Sequence, residues 1–558
     1  MKQKLIEKSI IISENLFVNR LEYMEFFENK NKIGLNFLIL GILVWWSGIA
    51  GRDLYMVPVL IGIIFMTFHV CSVKDYQKIF GNGWTTLTRI PPRTLIWLLF
   101  LHGIVLSMTA VFKQYSFQWN IWDVGIYSDI LFNTSKGSFY SSYYHGHNWG
   151  DHFTPSMSFI SLFYWIYPST NWMTLSKVFA LIISPLMIWK ICENIFTKKN
   201  HVYSISLVLS LFWLFFYAPI VKSSYSAFHP SSLAAPAIFY AFLCLQKKEW
   251  WKLVLIFIFL IGLKEHLASV LIGFGLYMIL NTHQKKSGVI LVILGISAII
   301  VIMWVIMPYY RNYAPAWTTG NIENISLFRD VMGKLIYLGK LLIPFAFLPL
   351  IYWKYGIIAG PAIGVNLLAT GKNLYSTSFH YDDLTAPLLF ISVILSLHRV
   401  MASDFLTKYG KKRLFHGLAL FWIAFLFVLL PASPMRILWG SIPSSTDLQI
   451  LSELKKFENI SEGKRIAVQS SIGPLFQREK LQWYIQNKEQ HCGMISHIYS
   501  IRSIPVEYVV LAPQIGHYGI NDMNLCLKDL SMNSLARKAP GFDHLVVYKR
   551  INNIKPTN

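Results

Sequence analysis

Residues 250–281 read WWKLVLIFIFLIGLKEHLASVLIGFGLYMILN, two apolar runs with a single charged cluster between them. We interpret apolar runs of about 15 to 22 residues as membrane-spanning helices. The cluster Lys264-Glu265-His266 then lies at a membrane edge, where charge is costly unless it faces a cavity or a partner. A simple hairpin turn is the alternative, but this short connection lacks the Gly, Pro and Asn residues that favour turns.

The same apolar character extends over all 558 residues, of which 54% are hydrophobic and 14% charged. A soluble surface cannot be covered with so few polar residues, so the bilayer must be the solvent. The chain is predicted to be an all-α polytopic membrane protein with about thirteen spans, near 33–50, 54–72, 94–112, 174–196, 203–220, 231–246, 250–263, 266–281, 288–307, 336–353, 356–370, 384–401 and 414–431.

Lysine and arginine are denser in alternate short loops, which predicts the orientation because cytoplasmic loops carry the positive excess. Residues 1–32 are then cytoplasmic, and the first span is the targeting signal. This asymmetry of lysine and arginine between the two sides holds only if the segment 153–167 is re-entrant or interfacial and does not cross the membrane. The net charge of +22 is scattered between apolar runs, so the basic residues indicate a lipid bilayer partner and no nucleic acid.

An odd number of spans places residues 432–558 outside, as a small extracytoplasmic α/β domain. A helix capped by Thr446 or Asp447 and three strand-like segments, RIAVQSS, EYVVLA and HLVVYKR, indicate this class. Cys492 and Cys526 both lie in this domain, so they are candidates for a disulfide. The domain shows no catalytic constellation, and its simplest role is to cover the membrane part.

The outer loop 113–152 is dense in unusual residues. Asp123 follows Trp122 on a predicted interfacial helix with an apolar face, Asp129 shares that helix, and Gly150-Asp151-His152 closes the loop. A carboxylate held against aromatic rings can act as a general base, or can bind a cation with a second carboxylate. The alternative is that these aspartates cap helices and face water.

Further ionisable residues are predicted at the same membrane face. His229 follows the fifth span, Lys264 and Glu265 lie between the seventh and eighth, and His380 precedes the twelfth. A lone histidine is more often structural, but together these residues describe one outer pocket. A base beside cationic groups suits a reaction with a phosphate leaving group.

The segments W-D-V-G-I-Y-S-D, G-D-H-F-T-P, A-F-H-P, L-K-E-H and F-H-Y occur in this order. In order and spacing they resemble the DUF2079 family of membrane proteins, over about residues 94–550. The sequence departs from the family's pattern at Asp129 and His266, so the resemblance does not make these two residues functional. Residues 33–93 are then an added hairpin with a basic loop, and 94–431 form the family's membrane domain.

DUF2079 in turn resembles membrane glycosyltransferases of the GT-C fold, which implies a bacterial inner-membrane enzyme that uses a polyprenyl-phosphate sugar donor and an unidentified acceptor. By this resemblance Asp123 or Asp151 is the catalytic base. Donor and phosphate binding fall to His152, His229, Lys264, Glu265 and His380. Some relatives need Mg²⁺ or Mn²⁺, for which Asp123, Asp151 and Glu265 are the candidate ligands.

Two other functions stay open. A transporter or flippase of lipid-linked or small substrates would also be polytopic, but its ionisable residues should lie near mid-membrane, where this chain is almost entirely apolar. A non-catalytic protein that kept the GT-C-like fold is the second alternative, because a fold does not fix an activity.

Overall fold

The computed structural model describes residues 40, 46–47, 92–143, 146–311, 329–369, 371–402, 433–476, 482–488, 491–494, 506–516, 520, 522–532 and 536–550. The predicted spans 54–72 and 414–431 lie outside these residues, as does nearly all of 33–50. The chain forms two compact units, one of Met1–Ile96 with Val400–Ile437 and one of Trp97–Arg399 with Leu438–Asn558. The second unit contains both the outer loop and the C-terminal region.

Several predicted spans are present as helices. Within the described residues, four helices are long and apolar enough to cross a membrane: Arg93–Tyr115, Asn171–Ile195, Lys285–Tyr310 and Thr385–Ala402. A fifth candidate is a pair bent by 50°, His201–Phe216 with Ala218–Tyr225. The bend falls at Tyr217, next to Pro219, whose ring and missing N–H interrupt a continuous helix. Shorter helices cover the other predicted spans between 231 and 281, namely Ala234–Lys247, Trp250–Ile261 and Ser269–Asn281.

One predicted span is wrong as a single helix. The stretch 336–353 contains the end of helix Val331–Leu342, the 3₁₀ turn Ile343–Phe345, the short helix Leu348–Ile351 and the first residue of helix Trp353–Gly356. The helix is broken at Ala346 and Phe347, whose φ angles are 48° and 56°. Pro344 and Pro349 flank it, and neither can donate the backbone hydrogen bond that a continuous helix needs. The next predicted span, 356–370, contains helix Gly360–Leu368.

The segment 153–167 does not form a spanning helix. It contains a 3₁₀ turn, Pro155–Met157, and the helix Ser158–Tyr164 of 7 residues. Such a helix is only about 10 Å long, a third of the hydrocarbon thickness. This length agrees with the re-entrant or interfacial interpretation.

The C-terminal region contains a sheet of six strands: β3 (Ile466–Gln469), β4 (Gln482–Lys488), β5 (His491–Met494), β6 (Tyr508–Leu511), β7 (Ala536–Lys538) and β8 (Val546–Arg550). Their order in the sheet is β5-β4-β3-β6-β8-β7. Strand β3 pairs parallel with β4 and with β6, whereas β5 pairs antiparallel with β4, β8 with β6, and β7 with β8. Two further strands, β1 (Tyr140–Ser141) and β2 (Gly146–His147), form a hairpin in the outer loop. All three predicted strand segments therefore contain a strand.

Two helices accompany the sheet, Ser445–Ile460 and Met523–Met532. The first is capped by Ser444, whose hydroxyl accepts from the Asp447 N–H while the Asp447 carboxylate accepts from the Ser444 N–H. Neither Thr446 nor Asp447 is therefore the cap residue. Cys526 is disulfide-bonded, but the side chain of Cys492 lies outside the described residues, so their pairing stays a prediction.

The outer loop shares one hydrophobic core with this sheet. The predicted interfacial location of its apolar face is wrong, because those side chains are buried against protein. The shared core includes Ile121, Val124, Ile126, Ile130 and Leu131 of the loop, with Ile450, Leu454, Phe457, Ile466, Val468 and Ile472 of the C-terminal region. Burial of several large aliphatic side chains contributes roughly 1.5–3 kcal/mol each, so the loop is held firmly on the sheet.

Candidate active site

Asp123 lies in a tight turn between the buried side chains of Ile121 and Val124. Its φ and ψ are 62° and −68°, a conformation that costs a non-glycine residue about 1–3 kcal/mol. The flanking Ile121 and Val124 are fully buried, and the Asn120 side chain accepts from the Trp122 N–H at 2.9 Å. The packing of the neighbours therefore fixes Asp123 in a strained conformation, with 34% of its side chain exposed.

Three turns bring His229, Lys264 and His380 to the same place. His229 caps the turn Pro230–Leu233, Lys264 precedes the turn Glu265–Ala268, and His380 begins its own turn. The two imidazole rings stack with centroids 3.8 Å apart and planes 6° from parallel. Lys264 Nζ lies 2.9 Å from His229 Nε2, and Asp123 Oδ2 lies 4.0 Å from His380 Nδ1. The four residues form one cluster, which we call the Asp123 cluster.

The contact between Lys264 and His229 has a defined direction. A charged Lys264 can only donate, so His229 Nε2 accepts from its ammonium group. His229 Nδ1 lies 2.9 Å from Ser231 Oγ, which in turn lies 3.4 Å from Asp383 Oδ2. Burial lowers the pKa of His229 well below its usual value, and nearby Lys264 and His380 act in the same direction. Burial lowers the pKa of Lys264 as well, although the nearby carboxylates of Glu265, Asp123 and Asp151 oppose the shift. These carboxylates favour the protonated form, so we treat Lys264 as the positive charge of the cluster.

Asp151, His152 and Glu265 form a second group beside the first. His152 Nδ1 lies 3.1 Å from Glu265 Oε1, and His152 Nε2 lies 3.5 Å from Asp151 Oδ2. Burial alone would raise the pKa of Glu265, but the charge and hydrogen bond of His152, together with Lys264, outweigh it and lower the pKa to about 2. The His152 ring lies 6.3 Å from that of His229, so the two groups adjoin.

The three carboxylates that were candidate metal ligands do not form a ligand set. Asp151 and Glu265 both contact His152, whereas Asp123 faces His380. Among the described residues, no three His, Cys, Asp or Glu side chains are grouped so that they could hold a metal ion. These three side chains are thus not arranged as one ligand set in the observed structure, and binding of Mg²⁺ or Mn²⁺ stays a prediction.

Asp129 belongs to neither group. Its carboxylate accepts from the Ser142 N–H at 2.6 Å, from the Ser142 hydroxyl at 2.8 Å and from the Asn133 amide at 3.2 Å. Burial raises the pKa of Asp129 to about 7, although these hydrogen bonds oppose the shift. This carboxylate ties the β1–β2 hairpin to helix Ile126–Ser135, which is a structural role.

The sequence interpretation missed two buried groups next to the Asp123 cluster. Asp383 accepts from the Ser223 hydroxyl at 2.5 Å, and Lys177 donates to the Ser223, Ser226 and Ala227 carbonyl oxygens at 2.5, 3.0 and 3.1 Å. Burial raises the pKa of Asp383 to about 6 against the opposing charge of Lys177. The signal for Asp383 was available, since two consecutive aspartates at a membrane edge are costly unless they have partners.

Comparison with known proteins identifies the family and the fold. A family model described as a predicted membrane protein, DUF2079, matches residues 113–490. The structure resembles ArnT from Cupriavidus metallidurans bound to undecaprenyl phosphate, with a TM-score of 0.51, 10% identity, and coverage of 83% of this chain and 99% of that one. It also matches the apo oligosaccharyltransferase of Archaeoglobus fulgidus at a TM-score of 0.39 and 10% identity, covering 76% of this chain and 70% of that one. No curated protein matches the sequence. The predicted resemblance to DUF2079 and to the GT-C fold is confirmed.

Substitution of the two loop aspartates should separate structure from chemistry. Asp129→Ala leaves the Ser142 donors without an acceptor, at a cost of about 1–3 kcal/mol for each buried group, so the thermal unfolding midpoint of the detergent-purified protein should fall. The matched Asp123→Ala should lower the midpoint less, because the ion-pair contact of that carboxylate among the described residues is with His380, at 4.0 Å. Equal midpoints for the two variants would contradict the assignment.

Proposed function

Given that this chain belongs to the DUF2079 family of predicted membrane proteins and has a GT-C-like fold, we propose that it is a membrane glycosyltransferase. It transfers a sugar from a polyprenyl-phosphate donor to an acceptor hydroxyl at the outer face of a bacterial inner membrane. The observation that carries the proposal is the Asp123 cluster, in which a half-exposed carboxylate lies beside a buried lysine and two stacked histidines. The undecaprenyl phosphate bound to ArnT supports the class of donor.

The chemistry divides between the two sides of the cluster. Asp123 removes the proton from the acceptor hydroxyl, whose oxygen forms a bond to the anomeric carbon. The bond from that carbon to the phosphate oxygen breaks, and the polyprenyl phosphate leaves with the electron pair. Lys264 stabilises the charge that develops on the phosphate, and His229 orients the ammonium through the contact at Nε2. The proton later passes from Asp123 to water.

Burial makes Asp123 a suitable base. It raises the pKa of the carboxyl to about 6, although Lys264, His152 and Lys177 pull the pKa down. A base whose pKa lies near the working pH combines a large ionised fraction with useful basicity. Asp151 is less suited to this step in the observed structure, because its carboxylate already contacts His152.

Binding of undecaprenyl phosphate to the detergent-purified protein tests the donor site. We expect saturable binding that Lys264→Ala weakens by about 10- to 100-fold, the loss of one charge-assisted hydrogen bond, and that Asp123→Asn leaves unchanged. Lys252→Ala is the matched control, because Lys252 lies at the other end of helix Trp250–Ile261 and pairs with Glu249. No binding by the wild type, or equal binding by Lys264→Ala, would contradict the proposal and favour a transporter or a non-catalytic protein.

The rate of sugar transfer should depend on pH through Asp123. Below about pH 6 the carboxyl is protonated and cannot accept a proton, so the rate should fall about tenfold per pH unit, and above about pH 7 it should level off. The measurement is the initial rate of label transfer from radiolabelled undecaprenyl-phosphate sugars into membrane extracts. Asp123→Asn should be slow and lack this acid limb. A variant that keeps the wild-type profile would rule out Asp123 as the base.

A further inference from the structure

The turn that carries Asp123 is seated on one edge of the C-terminal sheet. Strands β3 and β6 are parallel neighbours, and the residues after their carboxyl ends lie at the same edge. In open α/β sheets this edge is where ligands bind. In this protein the turn that contains Asp123 lies against that edge. Ser470 is the residue after β3, and its hydroxyl oxygen accepts a hydrogen bond from the buried Ile121 N–H at 3.1 Å.

A second contact lies on the other side of the catalytic carboxylate. Pro474, in the turn Gly473–Leu475, packs against Gly125, where a Cβ would lie 3.5 Å from the proline Cγ. Ile121 and Gly125 are the second residues before and after Asp123. The segment 470–474 therefore contacts the turn on both sides of the residue that has the strained backbone.

This segment is itself anchored within the sheet. The Gln469 amide donates to the Gly516 carbonyl oxygen at 3.0 Å and accepts from the Ala512 N–H at 2.8 Å. The Ser471 hydroxyl also donates to the Gly516 carbonyl oxygen. These hydrogen bonds join the connections after β3 and β6. Ser470 and Pro474 therefore have little freedom to move if the turn that contains Asp123 changes conformation.

We propose that Ser470 and Pro474 are positioning residues that hold Asp123 in its strained backbone conformation of positive φ. The C-terminal sheet is then a clamp on the catalytic carboxylate and has a role beyond covering the membrane part. The inference rests on the proposed function only in making Asp123 the base. The clamp itself is a property of the folded chain and can be measured without any substrate.

A double-mutant cycle on thermal unfolding of the full-length, detergent-purified protein tests the clamp. Glycine adopts a positive φ without a steric penalty, so Asp123→Gly should unfold roughly 1–3 °C above Asp123→Ala, which also lacks the carboxylate but keeps the Cβ. In a Ser470→Ala background the turn can relax, so this Gly–Ala difference should fall to less than half. The Gly–Ala difference should fall equally in a Pro474→Ala background, which replaces the Ser470→Ala background if that variant does not fold.

Two controls separate positioning from general destabilisation. Ser444→Ala removes the cap of helix Ser445–Ile460 in the same region, so it should lower every midpoint but leave the Gly–Ala difference intact. Ser470→Thr keeps the hydroxyl and should restore the difference. An undiminished difference in both the Ser470→Ala and Pro474→Ala backgrounds, or no difference in the wild-type background, would overturn the clamp. If the wild-type protein does not bind undecaprenyl phosphate, or its transfer rate does not depend on pH as expected, the proposed function is rejected. These two results do not test the positioning of Asp123 by Ser470 and Pro474.

Discussion

The positive charge of Lys264, only 6% exposed, is the constraint around which the site is organised. A buried ammonium costs several kcal/mol unless acceptors and opposite charges surround it. Its direct partner is His229 Nε2, and the carboxylates of Glu265, Asp123 and Asp151 act on it through their charge. Removal of any one of these groups leaves a charge that the others must accommodate. The second group, in which His152 holds Asp151 and Glu265, is therefore part of the same electrostatic balance.

This electrostatic balance explains why the site lies where the turns of His229, Lys264 and His380 approach the outer loop. His229, Lys264 and His380 each lie at the start of a short turn that leads into a helix, so their backbones are fixed by buried apolar segments. Asp123 comes from a different part of the chain and is fixed by the sheet. A lipid phosphate brought to Lys264 would meet a donor already oriented by His229, which is the preorganisation that stabilises developing charge. The acceptor side stays more open, because Asp123 keeps 34% of its side chain exposed.

Sequence reasoning located much of this site, because charge at a membrane edge is costly and therefore conspicuous. Asp123, His229, Lys264 and His380 were all predicted to face one pocket, and the structure groups them. The contacts from His229 through Ser231 to Asp383 could not be foreseen, since a serine in an apolar sequence carries no signal of its own. Nor could the seating of Ile121 on Ser470, which joins residues 349 positions apart. The apolar face of that loop has the same pattern whether it meets lipid or protein, so its interfacial placement was wrong.

In the proposed function, Lys264, oriented by His229, binds the phosphate of a polyprenyl-phosphate donor beside Asp123. An electron cryomicroscopy structure of the full-length protein saturated with undecaprenyl phosphate tests this most directly. We expect phosphate density within hydrogen-bonding distance of Lys264 Nζ, on the side of the His229–His380 stack that faces the Asp123 carboxylate. Phosphate density at another place, with the Lys264–His229 contact unchanged, would contradict it.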